Sequence, residues 1–295
     1  MSTLITMDIG NSIIKTNKGI TFNSQIMKTN VNNIEFSEAI LYKDECFAIG
    51  QGEYENSMIK CDKNFLEHFV LYGIACSTKD DDVKLILSIP VNQLSTKENL
   101  INRLQGKSFS FIINSNEHNV KLIERSVKIS KVAVVGESIA SYYSLTDELS
   151  EFLTILDIGS KNINYATYTE IGKNDLLKSG TLDFGIHDFY NNIIEYYKNE
   201  KHITYSLSDI DKRVKSHRIF IPESMKKTFI EKIKNAITGN GFLDYNDYSI
   251  KCVGGGSLVL KDELEESFAD AKVIDDPVLR NVRGLELIGN TLGFW

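Results

Sequence analysis

The sequence predicts an α/β protein built of two related lobes, and three observations carry that prediction. A short phrase occurs twice, as Met7-Asp8-Ile9-Gly10-Asn11 and as Leu156-Asp157-Ile158-Gly159-Ser160: an apolar run, Asp, one apolar residue, Gly and a small polar residue. Each copy is followed by a second segment of strand composition, so each sits in the bend of a hairpin. Elsewhere, apolar runs such as Lys84-Leu85-Ile86-Leu87-Ser88-Ile89 alternate with stretches of helical period such as Phe65, Leu66, Phe69, Val70 and Ile74. At 295 residues the chain has room for two cores.

Composition narrows the class. With 42% hydrophobic and 25% charged residues the chain reads as ordinary globular protein. Its formal net charge of −7 opposes direct binding to nucleic acid or to an anionic membrane, which need clustered Lys and Arg; any contact with DNA would pass through an adaptor. The opening residues carry no basic segment and set Asp8 inside their apolar run, unlike a secretory signal. No apolar stretch reaches the roughly 18 residues of a membrane span, so a cytoplasmic location is expected. Cys46, Cys61, Cys76 and Cys252 form no C-x-x-C pair and have no histidines at ligand spacing, which makes them reduced thiols. Only three prolines and no Ser-rich linker imply lobes joined by packed segments.

In chain order, Leu4 to Ile9 is a buried strand, Gly10-Asn11-Ser12 a turn, and Ile13 to Asn17 the returning strand, with Ile20-Thr21-Phe22 resuming strand composition. Ala39 to Tyr42 and Cys46 to Gly50 are short strands around an acidic turn, and Asn64 to Cys76 is an amphipathic helix. The strand Lys84 to Ile89 stops at Pro90, and Ser95 with Glu98 has the pattern of a capping box opening a helix through Leu104. Alternation from Ser108 to Val135 indicates antiparallel strands joined at Asn114-Ser115-Asn116. Val132 to Val135 then runs through Gly136 into a helix whose first turn would hold Glu137, where the dipole favours its charge.

The second lobe opens with the strand Leu153 to Asp157, its partner Ile163 to Thr169, and a further strand Lys178 to Leu182. Asp183-Phe184-Gly185 precedes a helix from Ile186 to Lys198, Ser208 with Asp211 starts another, and Glu223 to Thr238 is a third, closed by Gly239-Asn240-Gly241. Ser249 to Val253 is a strand that breaks into Gly254-Gly255-Gly256 before a helix from Ser257 to Phe268. Three glycines there remove every Cβ where a flat ligand could lie on backbone. A last helix spans about Asn281 to Leu292, and Trp295 either packs back onto the first lobe, the favoured reading, or forms an exposed contact for a partner.

A strand that ends in an acid and turns on glycine can hold a metal and a phosphate, because amide groups at the hairpin tip point outward. Lys15 lies close enough to add a charge to the first such turn. Taken together, D-x-G hairpin, strand-Gly-Glu-helix, D-x-G hairpin, Asp-Phe-Gly before a helix and Gly-Gly-Gly before a helix resemble, in that order, the actin, heat-shock chaperone and sugar-kinase ATPase superfamily. The resemblance runs over essentially the whole chain. Within it the sequence looks most like the bacterial actin-like proteins that segregate plasmids, of which ParM is the type. Leu87-Ser88-Ile89-Pro90-Val91, Val134-Val135-Gly136-Glu137-Ser138-Ile139-Ala140 and Gly284-Leu285-Glu286-Leu287-Ile288-Gly289-Asn290 carry the closer match.

The resemblance implies a two-lobed actin-like (ribonuclease-H-like) fold, each lobe a mixed five-stranded sheet flanked by helices, with nucleotide in the interdomain cleft. Residues 1–150 with 281–295 would form the first lobe and 151–280 the second. It further implies that Asp8 and Asp157 hold Mg2+ through water, and that Gly10, Asn11, Ser12 and Lys15, with Gly159, Ser160, Lys161 and Asn162, hold the phosphates of ATP or GTP. Glu137 would orient and partly deprotonate the attacking water. Gly185 and Asp188 would face the ribose, Gly254, Gly255 and Gly256 the purine, and Lys212 would close the base pocket. Lys161-Asn162 depart from the glycine and threonine common in the family. The activity implied is nucleotide hydrolysis coupled to self-association into filaments, with a DNA-binding adaptor on a plasmid centromere as partner. Two alternatives stay open: a small-molecule kinase of the same superfamily, and a nucleotide-binding regulator that does not polymerise.

Overall fold

The computed structural model describes residues 2–31, 38–55, 57, 59–115, 120–145, 152–169, 176–239 and 247–291. The chain divides into two compact units, Met1–Ser144 with Asn281–Trp295, and Leu145–Arg280.

In the first unit the strands are β1 (Thr3–Ile9), β2 (Ile13–Thr16), β3 (Thr21–Asn23), β4 (Gln25–Thr29), β5 (Ala39–Tyr42), β6 (Glu45–Ile49), β7 (Glu53–Tyr54), β8 (Asp82–Ile89), β9 (Lys107–Ser115) and β10 (Val120–Gly136). They form one sheet in the order β3-β2-β1-β8-β10-β9-β5-β6-β4-β7. Five strands were expected for this lobe, and β3-β2-β1-β8-β10 supply that part. The sheet continues because β10 is 17 residues long: residues from Lys128 onward pair in parallel with β8, while the part from Val120 to Ile129 pairs antiparallel with β9. A strand that outruns its neighbour leaves an open ladder, and β9 with β5 fills it.

Alternation along β1 sets two faces. Ile5, Met7 and Ile9 join the main core with Leu85, Leu87 and the helix α1 (Leu66–Ser77), which contributes Phe69, Val70 and Ile74. Leu4 faces the other way and packs with Ile86, Ala140 of α3 (Ile139–Tyr143) and Leu285 of α9 (Arg280–Thr291). Thr6, of the same parity, donates from Oγ1 to the Val282 carbonyl in α9. Asp8 continues that parity at the strand's end.

The remaining first-unit helix, α2 (Lys97–Leu104), departs from the expected capping box. A 3-10 turn over Val91–Thr96 leads straight into it, and the helix-entry residue Thr96 makes no side-chain cap. Its Oγ1 donates to the Gln93 carbonyl instead, and the Lys97 N–H is taken by Leu94. A carbonyl of the preceding turn thus takes an N–H at the helix entry that a side-chain cap would otherwise serve.

The second unit has the expected five strands, β11 (Leu153–Ile158), β12 (Ile163–Tyr168), β13 (Leu176–Leu182), β14 (Ser249–Val253) and β15 (Ala271–Val273), in the order β13-β12-β11-β14-β15. Every residue of β11 and β12 is buried. Leu156, Ile158 and Ile163 pack with Phe189 and Ile193 of α4 (Ile186–Lys201), with Ile210 of α5 (Leu207–Lys215), and with Phe229 and Ile233 of α6 (Glu223–Gly239). The box at the start of α5 is Ser206 with Asp209, two residues ahead of the expected Ser208 and Asp211; Ser206 Oγ accepts from the Asp209 N–H at 3.1 Å. The expected helix from Ser257 to Phe268 is two pieces, α7 (Gly255–Val259) and α8 (Lys261–Ser267), broken at the buried Leu260. Asn240 and Gly241, expected to cap α6, and Trp295 lie outside the described residues.

Among the described residues no helix is long and apolar enough to cross a membrane. All four cysteines are unbridged thiols.

Candidate functional site

In the first unit, register places the chemistry. Asp8 stands opposite Lys15 across the hairpin and opposite Ser88 on the parallel neighbour β8. Both contacts are made: Lys15 Nζ lies 2.8 Å from Asp8 Oδ2, and Ser88 Oγ donates to Oδ1 at 3.0 Å. A third group arrives from a 3-10 turn over Lys60–Asp62. Lys60 Nζ is 3.9 Å from Asp8 Oδ1 and 2.7 Å from Glu137 Oε1, and it donates to the Ile9 carbonyl. Burial works to raise the Asp8 carboxyl, but the charges of Lys15 and Lys60, with the Lys15 and Ser88 hydrogen bonds, outweigh it and hold it below its ordinary 3.8.

Glu137 is not in the first turn of α3, as the sequence led one to expect. It precedes the helix-entry residue Ser138, at the end of β10, where its N–H donates to the Ile89 carbonyl at 2.7 Å. Ser138 takes φ +60, an unfavourable conformation for a residue with a Cβ. Asn281 of α9 holds it there, its Oδ1 accepting from the Ser138 N–H at 3.2 Å and from Ser141 Oγ at 2.7 Å. A strained residue beside a buried carboxylate, fixed by a second element, is the pattern of a built site. Of the turn residues, Asn11 is 6% exposed, and its Oδ1 is buried with no hydrogen-bond partner among the described residues. Gly10 and Ser12 are half-buried beside it, and the Ser12 carbonyl accepts from the Ser24 N–H.

The second unit repeats the frame with other side chains. Asp157 stands opposite Asn164 across the hairpin and opposite Val253 on β14. Gly159 closes the turn by donating its N–H to the Asn162 carbonyl at 3.0 Å. The turn is then docked on the start of α4: the Ile186 and His187 N–H groups donate to the Gly159 and Ser160 carbonyls at 3.0 and 2.9 Å. This approach requires glycine at 185, since a Cβ would stand 2.6 Å from the Ser160 carbonyl oxygen. Asp188, expected at the ribose, accepts from the Gly185 N–H at 2.9 Å and so caps its own helix. Lys161 is one of the charges acting on His187, whose imidazole is pushed down chiefly by burial.

Gly254, Gly255 and Gly256 are not equivalent. Gly254 has φ +84, and a Cβ there would meet Asp157 Oδ1 and the Ile158 carbonyl at 2.5 Å; Gly256 packs as closely on Ile158. Of the three, only Gly255 could carry a Cβ with no described atom within 4 Å of it, so open backbone is offered at that residue. Lys212 is exposed on α5, while its neighbour Asp211 pairs with Lys215 at 2.8 Å and raises the buried Tyr190 phenol after burial itself has done so.

The structure therefore brings Asp8, Lys15 and Glu137 together in the first unit, and Asp157, Gly159, Ser160, Gly185, Asp188 and Gly254 together in the second. Sequence reasoning missed Lys60 and the role of Ser88. Ser88 sits at the matching end of a neighbouring strand, a signal that strand register could have revealed. Lys60 lies between Ile59 and Cys61 with no pattern around it.

No family model matches the sequence, and no curated protein matches it. Solved structures do. Ta0583, an archaeal actin homolog, in complex with ADP, superposes with a TM-score of 0.78 at 16% identity over 98% of this chain and 99% of that one. A 15-stranded ParM filament from Clostridium botulinum gives 0.78 at 16% identity over the same shares, and apo pSK41 ParM gives 0.69 at 18% over 99% and 98%. At these identities the likeness establishes the fold: this chain has the fold of actin-like proteins, ParM among them.

Proposed function

We propose that the chain binds and hydrolyses ATP or GTP with Mg2+, and that nucleotide state governs its assembly into filaments that move plasmid DNA through a DNA-bound adaptor. One observation carries the reading: an Asp-ended strand and Gly turn are built twice at the same sheet position, and in the first unit a buried carboxylate, Glu137, stands on the lysine that also reaches Asp8.

The turn amides and Lys15 would bind phosphate, with charge-assisted hydrogen bonds contributing about 1.5–3 kcal/mol each. Asn11, whose buried Oδ1 is an acceptor, sits in the first turn, where a donor such as a metal-bound water would complete it. The donor set fits Mg2+ held by water: a carboxylate has about four lone-pair sites, and among the described residues Asp8 is met by Lys15, Ser88 and Lys60. Among the described residues no cluster of three metal-binding side chains exists, and Mg2+ commonly takes one or two carboxylates plus phosphate oxygens. When bound, the ion would neutralise charge on the phosphates. Glu137 would accept a hydrogen bond from the attacking water and take its proton as the bond to the γ-phosphorus forms, while the bond to the β–γ bridging oxygen breaks and the nucleoside diphosphate leaves with that electron pair. A head-to-tail contact between identical subunits whose rotation does not close into a ring would extend as a filament.

The test is phosphate release and light scattering with ATP and with GTP, on the wild type and Glu137→Ala. The expected result is nucleotide-dependent polymer from both, with turnover in the variant lower by about 10²–10⁴. Turnover at the wild-type rate in Glu137→Ala would remove the role given to Glu137. A wild type that stays monomeric, consuming nucleotide only with a small acceptor, would assign it to the kinases.

A further inference from the structure

Lys60 is 2% exposed, and its ammonium touches three things at once: the Ile9 carbonyl, Glu137 Oε1 at 2.7 Å and Asp8 Oδ1 at 3.9 Å. The turn that carries it is fixed from outside. Gln93 Oε1 accepts from the Lys60 N–H at 2.9 Å, and Arg103 of α2 donates to the carbonyls of Cys61 at 2.6 Å and Lys63 at 3.1 Å.

Burying this ammonium is a poor way to stabilise a fold, because desolvation offsets most of what an ion pair gains. It is an effective way to fix geometry. Ile9 is the last residue before the Gly10 turn, so one side chain joins the end of the hairpin strand to the carboxylate at the end of β10. The Glu137 backbone is tied separately, through its N–H to Ile89 and through the strained Ser138 that follows.

We propose that Lys60 is the positioning residue of the site: it orients the Glu137 carboxylate and keys it to the Asp8 hairpin, so that base and phosphate-binding turn keep one geometry. This rests on the reading of Glu137 as the group that acts on the attacking water. Misplacing such a group by about 1 Å costs on the order of 10²-fold in rate, whereas nucleotide contacts from the turn amides are untouched.

The experiment is a double-mutant cycle of Lys60→Met and Glu137→Gln, read in turnover, in nucleotide affinity and in thermal unfolding without nucleotide, with Lys60→Gln as a second neutral variant should Lys60→Met fold poorly. Lys60→Met should lower kcat by about 30-fold or more with nucleotide Kd changed less than about threefold. The double variant should be no slower than Glu137→Gln, because residues acting as a unit are not additive. Losses that multiply in turnover and add in unfolding would overturn the proposal. So would a Kd weakened more than about tenfold with kcat kept, which would make Lys60 a nucleotide ligand. A wild type without turnover overturns both this proposal and the reading beneath it, and differs from failure of Lys60 alone, in which the wild type still turns over.

Discussion

The two Asp hairpins share a frame and differ in what stands beside the acid. In each, Asp is the next-to-last residue of a strand, the partner strand returns in the same register, and a parallel strand lies on the other side. Around Asp8 those two lateral places hold Lys15 and Ser88; around Asp157 they hold Asn164 and Val253. The exits differ too. Beside Asp8 the parallel strand leaves through Ile89-Pro90, and beside Asp157 through Gly254, whose backbone lies against Asp157 and Ile158. The first hairpin thus sets the charges of Lys15 and Lys60 beside its acid, and the second brings the backbone of Gly254 close against its own.

The largest test of that contrast compares Lys15→Met with Asn164→Ala. The partly buried, charge-assisted Lys15–Asp8 bond contributes about 1.5–3 kcal/mol, against about 1 kcal/mol for the neutral bond that Thr181 Oγ1 donates to Asn164 Oδ1 at 2.7 Å. Chemical unfolding should therefore move more with Lys15→Met than with Asn164→Ala. Equal shifts would break the comparison. Next in size, Gly254→Ala should cost roughly 1–3 kcal/mol, through positive φ and the close contact with Asp157 and Ile158, while Gly255→Ala should be near neutral. If Gly255 receives the base, that second variant should weaken nucleotide binding with its melting temperature unchanged, which equilibrium dialysis and a thermal scan separate.

A smaller effect follows from acid. Asp8 is held below its ordinary carboxyl value, so its ionised form is what the fold favours. Its contribution is complete above that ordinary value and is lost as pH falls through the folded one. The stability gap between wild type and Asp8→Asn should be widest near neutrality and narrow below about pH 4, by urea titration at each pH. A gap that does not depend on pH would show that Asp8 is held by packing and not by charge. The smallest expectation concerns Cys252, buried beside the second hairpin's strand with its thiol pushed up to about 12 by burial. It should resist alkylation at pH 8 in the folded protein, as a mass measurement would record.

Much of this was legible in the residues. The repeated Asp-x-Gly phrase, the strand composition on either side of each copy and the helical period of Phe65 to Ile74 marked both hairpins and α1, because apolar periodicity reports which face a segment buries. Glycine runs and the Glu137 segment marked where elements change direction. Short polar signals were weaker guides: Ser95, Ser208 and the placement of Glu137 in a helix all failed by a few residues, since a capping side chain competes with whatever backbone the preceding turn already offers.

What the chain determined alone was therefore the two lobes, their Asp hairpins and the order of the motifs, all of which depend on neighbours in sequence. Tertiary structure alone decided that β10 would run on into a ten-stranded sheet, that Ser88 would stand beside Asp8, and that Lys60 would reach Glu137. Those pairings join residues tens of positions apart, and a buried charge carries no local periodicity from which its partner can be read.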